Sequence, residues 1–133
     1  MKYLLDTHVW MWMAELPEKL GTACRGILEE PGHEVMVSSF STLEIGQLMT
    51  VGRITVKGML DAWVRRSLAE LKLGSLDVTH DIAALAYALP GEFHKDPADR
   101  ILVATAIRHG LTLVTADERI LAYAHVMTLD GRR

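Results

Sequence analysis

The sequence predicts an α/β fold in which a parallel sheet is covered by helices on both faces. Two observations carry this. Short apolar runs such as "VMVS" and "LTLVT", bounded by polar residues as buried strands are, alternate with segments of helical periodicity. The chain of 133 residues is also half apolar, which is enough for one domain with a core and too short for two. A single domain over residues 1–133 is therefore expected.

The elements follow in order. "KYLL" at 2–5 is a short apolar run broken by Asp6, as expected of a buried strand. "THVWMWMAEL" and residues 17–30 read as helical, with "PGHE" at 31–34 as the turn. "VMVS" at 35–38 is short and β-branched, a second strand. "STLEIGQLMTVGRI" opens with Ser41 and Glu44 in the spacing of a capping box and carries apolar residues at helical intervals. A further helix covers about 57–72, "LDVT" at 76–79 is a third strand, and "HDIAALAYAL" is a helix stopped by Pro90. In "HKDPADRILVATA", Asp96 takes the N-cap and Pro97 the first helical position, and Gly110 after His109 supplies a left-handed stop. "LTLVT" at 111–115 is a fourth strand and "VMTL" at 126–129 a fifth.

Composition narrows the function. Uninterrupted apolar stretches such as "VWMWMA" are far short of the roughly 20 residues of a membrane span. Asp6 interrupts the block that a signal peptide would need, so a cytoplasmic protein is expected. Cys24 is the one cysteine, which fits a reducing compartment and leaves packing as its role. The formal charge of −3, from 14 bases against 17 acids, counts mildly against a nucleic-acid partner. Setting four acids aside in one site turns that balance into 14 against 13, slightly basic.

In parallel sheets of this kind, ligands bind beyond the carboxyl ends of the strands. Asp6 closes the first strand, Glu44 lies in the first turn after the second, Asp99 opens the helix leading into the fourth, and Asp117 follows the fourth in "TADE". Singly, each reads as a turn, capping or first-turn residue. Together they need a countercharge, because two carboxylates about 4 Å apart repel by roughly 4 kcal/mol at an effective dielectric near 20. A hard divalent cation with oxygen ligands, Mg²⁺ or Mn²⁺, supplies it. The six histidines are scattered, without zinc-like spacing, and most read as surface residues.

These stretches resemble a known family. "LLDTHVW", "SSFSTLEIGQL", "HKDPADRILVATA" and "LTLVTADERI" are similar, in order and over nearly the whole chain, to the four acidic motifs of PIN-domain ribonucleases, in particular VapC-type toxins. The resemblance implies that Asp6, Glu44, Asp99 and Asp117 bind the metal, with Asp96 contributing through water and Thr115 orienting Asp117 or a metal-bound water. It also implies a five-stranded parallel sheet, metal-dependent cleavage of RNA, a homodimer and a cognate antitoxin. Metal-held water would attack phosphorus in line, leaving a 5′-phosphate and a 3′-hydroxyl.

Other residues stay open between two readings. Arg100 either contacts substrate phosphate or pairs with an acid. Arg53, Arg65, Arg66 and Lys72 either follow an RNA backbone or form a solvated helix face. Trp10, Trp12, Met11 and Met13 make the first helix apolar on every side, for a subunit or antitoxin interface or for the core. Three rivals compete with the nuclease. A signalling receiver domain would want a second acid near the start and a lysine after a late strand. A haloacid-dehalogenase-type phosphatase would want an aspartate where His8 stands, and a catalytically idle PIN fold would serve only for binding.

Overall fold

The computed structural model describes residues 1–133. Its strands are β1 (Lys2–Leu5), β2 (Glu34–Ser38), β3 (Gly74–Leu76), β4 (Thr112–Thr115) and β5 (Thr128–Asp130). They form one wholly parallel sheet in the order β3-β2-β1-β4-β5. Its helices are α1 (Thr7–Glu15), α2 (Thr22–Glu29), α3 (Ser39–Thr50), α4 (Leu60–Glu70), α5 (His80–Ala86), α6 (Pro97–His109) and α7 (Glu118–Leu121), with a 3₁₀ turn at Pro17–Lys19. None is long and apolar enough to cross a membrane.

The pleat divides the core in two. Tyr3 and Leu5 of β1, with Val35 and Val37 of β2, face Val9 and Trp10 of α1, Cys24 of α2, Ile45 of α3 and Trp63 of α4. Leu4, one residue along, faces the other way with Leu113, against Leu102 and Val103 of α6 and Ile120 of α7. Helices therefore cover both faces, as the near-continuous apolar strands require. Trp10 is fully buried against Trp63, with ring centroids 5.2 Å apart, and donates its indole N–H to Ser67 Oγ at 3.2 Å. Trp10 and Met11 thus belong to the core, while Trp12 and Met13 are only partly covered.

Four boundaries differ from expectation for local reasons. β3 ends at Leu76 because Thr79 is the N-cap of α5, its hydroxyl accepting from Ile82 N at 3.3 Å, and Val78 N turns away to Ser39 Oγ at 3.4 Å. The 17–30 segment splits because α2 takes its N-terminal acceptors from the chain's other end: Gly21 N donates to Gly131 O at 2.9 Å and Cys24 N to Arg133 O at 3.0 Å. α5 stops at Ala86, whose carbonyl would need an N–H at position 90; Pro90 has none, and Arg100 takes that carbonyl instead. α3 starts at Ser39, with the Ser38 hydroxyl accepting from Phe40 N at 3.0 Å, so Ser41 and Glu44 do not form the predicted capping box.

Candidate active site

Strand order reverses between β1 and β4, so the crevice at their carboxyl ends is the topological switch point of the sheet. Asp6 leaves β1 there. Its Oδ1 accepts from Thr7 N at 2.6 Å, capping α1, and its Oδ2 accepts from the Thr115 hydroxyl at 2.6 Å. Thr115, fully buried at the end of β4, accepts in turn from Asp117 N at 3.0 Å. Asp117 Oδ1 caps α7, accepting from Arg119 N at 2.8 Å and Ile120 N at 3.3 Å. The Thr115 hydroxyl therefore ties the two strand ends together, and the carboxylate it orients is Asp6.

Glu44 reaches the same crevice from α3. Released from capping, its carboxylate takes the hydroxyl proton of Thr7, and Thr7 lies 2.8 Å from the buried Ser41 hydroxyl. With its one proton given to Glu44, Thr7 accepts from Ser41.

Asp99, third residue of α6, is 9% exposed. Its Oδ2 stands 3.0 Å from His94 Nε2 and 3.7 Å from Arg119 Nη2, yet both Oδ2 and His94 Nε2 are buried without a hydrogen bond. Burial, then the charge of Arg119, pushes the His94 imidazole below its ordinary range. Asp96 is exposed and caps α6, accepting from Ala98 N at 2.9 Å.

The electrostatics report a convergence. Burial raises Asp6, Glu44 and Asp99 above the usual carboxylate range, and mutual repulsion adds to it: Asp117 acts on Asp6, Asp6 on Glu44, and Asp6, Asp96 and Asp117 on Asp99, which is pushed up to about 7. Asp117 behaves oppositely. Burial alone would raise it, but hydrogen bonds from the Arg119 side chain at 3.2 Å and from the backbone N–H groups of α7 bring it below its ordinary value. Arg119 is the crevice's own cation, bridging Asp117 and Asp99 from a largely exposed position.

A divalent cation fits this donor set. One ligand atom each from His94, Asp99 and Asp117 lies within 4.8 Å of the others, a group that includes neither Asp6 nor Glu44, and the buried Asp99 Oδ2 is a hard oxygen donor without a hydrogen bond.

Against known proteins, the PIN domain profile matches residues 3–126. The chain belongs to the PIN-domain family. This PIN domain is 38% identical to Ribonuclease VapC22 of Mycobacterium tuberculosis over 122 residues, 92% of each chain. Its fold matches solved structures of VapBC2 from Rickettsia felis bound to a promoter DNA fragment (TM-score 0.71, 16% identity, 97% and 98% of the two chains) and of a toxin–antitoxin complex from Klebsiella pneumoniae (TM-score 0.65, 19% identity, 97% of each). The receiver-like and phosphatase-like readings fall with this membership.

Within the PIN domain, Arg100 pairs with no acid. Its guanidinium donates to three backbone carbonyls, Ala86 at 2.9 Å, Phe93 at 2.8 Å and His94 at 2.9 Å, and lies 5.3 Å from the Tyr87 ring centre. Among the other bases, Arg65 pairs with Asp61 at 3.4 Å and Arg66 donates to Lys57 O at 3.3 Å. In the sequence Thr7 and Arg119 carry no signal of their own, and His94 reads as one of six scattered histidines, whereas the structure places it with Asp99 and Asp117. His94 stands two residues before Asp96 and Arg119 two residues after Asp117, so both were within reach of a search around the acids; Thr7 follows Asp6 directly.

Proposed function

We propose that this chain is an endoribonuclease, the toxin of a toxin–antitoxin pair, hydrolysing RNA phosphodiester bonds with Mg²⁺ or Mn²⁺ held by Asp6, Glu44, Asp99 and Asp117. The observation that carries it is the buried Asp99 Oδ2, without a hydrogen bond, beside acids whose charges raise its pKa, in a chain 38% identical to a named ribonuclease. Residues 1–133 act as one PIN-like domain in the cytoplasm, as a homodimer neutralised by a cognate antitoxin. The toxin–antitoxin complexes among the fold's neighbours support that partner.

When bound, the ion would activate water for attack on phosphorus and neutralise charge developing on the phosphate oxygens. The protein's own groups prepare the geometry. Thr115 fixes the Asp6 carboxylate and Thr7 fixes Glu44, so neither must reorganise. Asp117 is anionic throughout the neutral range, because its pKa is lowered. Asp96 contributes through water from the rim. Arg119, exposed and held only by Asp117 and Asp99, can move from carboxylate to substrate phosphate without unfolding α7.

The test is RNA cleavage by purified protein. Cleavage is expected with Mg²⁺ or Mn²⁺ and not in EDTA; full activity in EDTA would sink the metal role. For the antitoxin, co-expression with the product of the adjacent short reading frame should lower the activity, and absence of any complex would remove the toxin assignment. Thr115→Val should retain the fold but lose about 10- to 100-fold in activity or metal affinity, the usual effect of removing a partner that orients a ligand. Thr115→Ser keeps the hydroxyl and should stay near wild type. A Thr115→Val protein with unchanged Mg²⁺ dependence would show that Asp6 needs no such support.

A further inference from the structure

A cleft of about 460 Å³ opens beside the acid crevice, between the loop at Phe93–His94 and the chain after α7. It shares His94 and Arg119 with the crevice, so the two are continuous.

Its wall is a run of rings. The His94 and Phe93 centroids are 4.4 Å apart, Phe93 and Tyr123 4.8 Å, and Tyr123 and His125 5.4 Å, each pair tilted by 46° to 59°. The run is anchored at its middle, where Tyr123 is buried and donates its hydroxyl to Pro90 O. His125 is the exposed ring at the rim. It stands over Gly91, whose φ of 67° suits glycine and where a Cβ would come within 3.3 Å of His125 Nε2. Arg119 closes the end toward the acids.

We propose that this cleft receives an unpaired base of the RNA strand adjacent to the scissile phosphate, stacked against His125 and the Phe93 edge, with Arg119 on the intervening phosphate. The inference rests on the ribonuclease reading above. Two arguments select an RNA strand as occupant. Aromatic faces with a guanidinium beside them are the combination that holds unstacked bases and their backbone. The cleft also runs without a break into the site where a phosphate would be cut, so a strand bound at one must pass the other. An enzyme that takes a flanking base this way requires single-stranded substrate at that position.

The test begins by mapping a cleavage site of the wild-type protein in total RNA with Mg²⁺, then measures kinetics on a 12-nucleotide RNA spanning it. His125→Ala should raise KM about 5- to 10-fold, the lower range of base–aromatic stacking, with kcat within about twofold. His125→Trp should keep the wild-type KM, because it keeps a stacking face. Replacing one flanking nucleotide by an abasic ribose should raise the wild-type KM similarly and add nothing in His125→Ala, as two changes to one contact do. An unchanged KM in His125→Ala, or losses that add at every abasic position, overturns the subsite and leaves the ribonuclease standing. No cleavage of any RNA by the wild type overturns the ribonuclease reading, and the subsite with it.

Discussion

Asp99→Asn is expected to lower RNA cleavage by at least ~10³-fold, beyond the 10- to 100-fold of an outer-shell partner, and yet to raise the melting temperature of the metal-free protein at pH 7. The stabilising half follows from linkage. Burial first, and then the charges of Asp6, Asp96 and Asp117, raise Asp99 to about 7 from an ordinary value of 3.8. Between about pH 4 and 7 the native state therefore holds a proton that the unfolded chain has released. Stability falls as pH rises through that window, and above 7 the whole penalty applies, on the order of 2–4 kcal/mol. Asparagine carries no charge to bury. It forfeits a first-turn charge worth about 0.3–1 kcal/mol, which is the smaller quantity. Melting curves without metal should slope downward from pH 5 to pH 8 in the wild type and run flatter in the variant, with a residual slope from Asp6 and Glu44, which are raised in the same sense. Mg²⁺ should reverse the ranking. A ligand bound only by the native state adds about 2.7 kcal/mol at a hundred times its dissociation constant, and the amide is the poorer ligand for a hard cation. If Asp99→Asn melts lower without metal and Mg²⁺ shifts both proteins equally, Asp99 is a first-turn charge and nothing more.

Asp6, Asp96 and Asp117 stand at boundaries that the chain announces: one strand ends just before Asp6, another before Asp117, and a helix begins after Asp96. Pattern reading handles such positions well, since period and capping are local. It fails where a side chain is claimed by a distant partner. Ser41 and Glu44 have the spacing of a capping box, but Thr7, on a different helix, takes both, so α3 begins at Ser39 instead. "LDVT" has the composition of a strand, but Thr79 caps α5 and Val78 N turns to Ser39 Oγ of α3, so β3 stops at Leu76. His94 and Arg119 enter the site through their contacts with Asp99 and Asp117, which depend on how the 87–96 loop and α7 are placed in three dimensions. Arg100 is the clearest case, because its sequence neighbours argue for a charge partner and its actual partners are backbone.

That placement gives the second large effect: Arg100→Met should lower stability by about 3–5 kcal/mol. The segment from Tyr87 to Asp96 has no strand or helix to satisfy its carbonyls, and Arg100 does this for three of the residues at its ends, Ala86, Phe93 and His94. Hydrogen bonds to a charged group are worth about 1.5–3 kcal/mol each, and the sum is smaller than three such terms because the freed loop can turn some carbonyls toward water. Arg100→Lys should recover little. An ammonium has the charge but not the planar fork that spans three acceptors. The expected result is a lower urea midpoint in both variants, with activity falling as well, because His94 and the Phe93 wall of the aromatic cleft ride on the released loop. A phosphate contact predicts a different pattern: a wild-type midpoint in Arg100→Met, loss confined to RNA affinity, and rescue by Lys. The phosphate role left open for Arg100 by its position beside Asp99 would then stand over the clamp, and denaturation of three proteins is enough to decide between them.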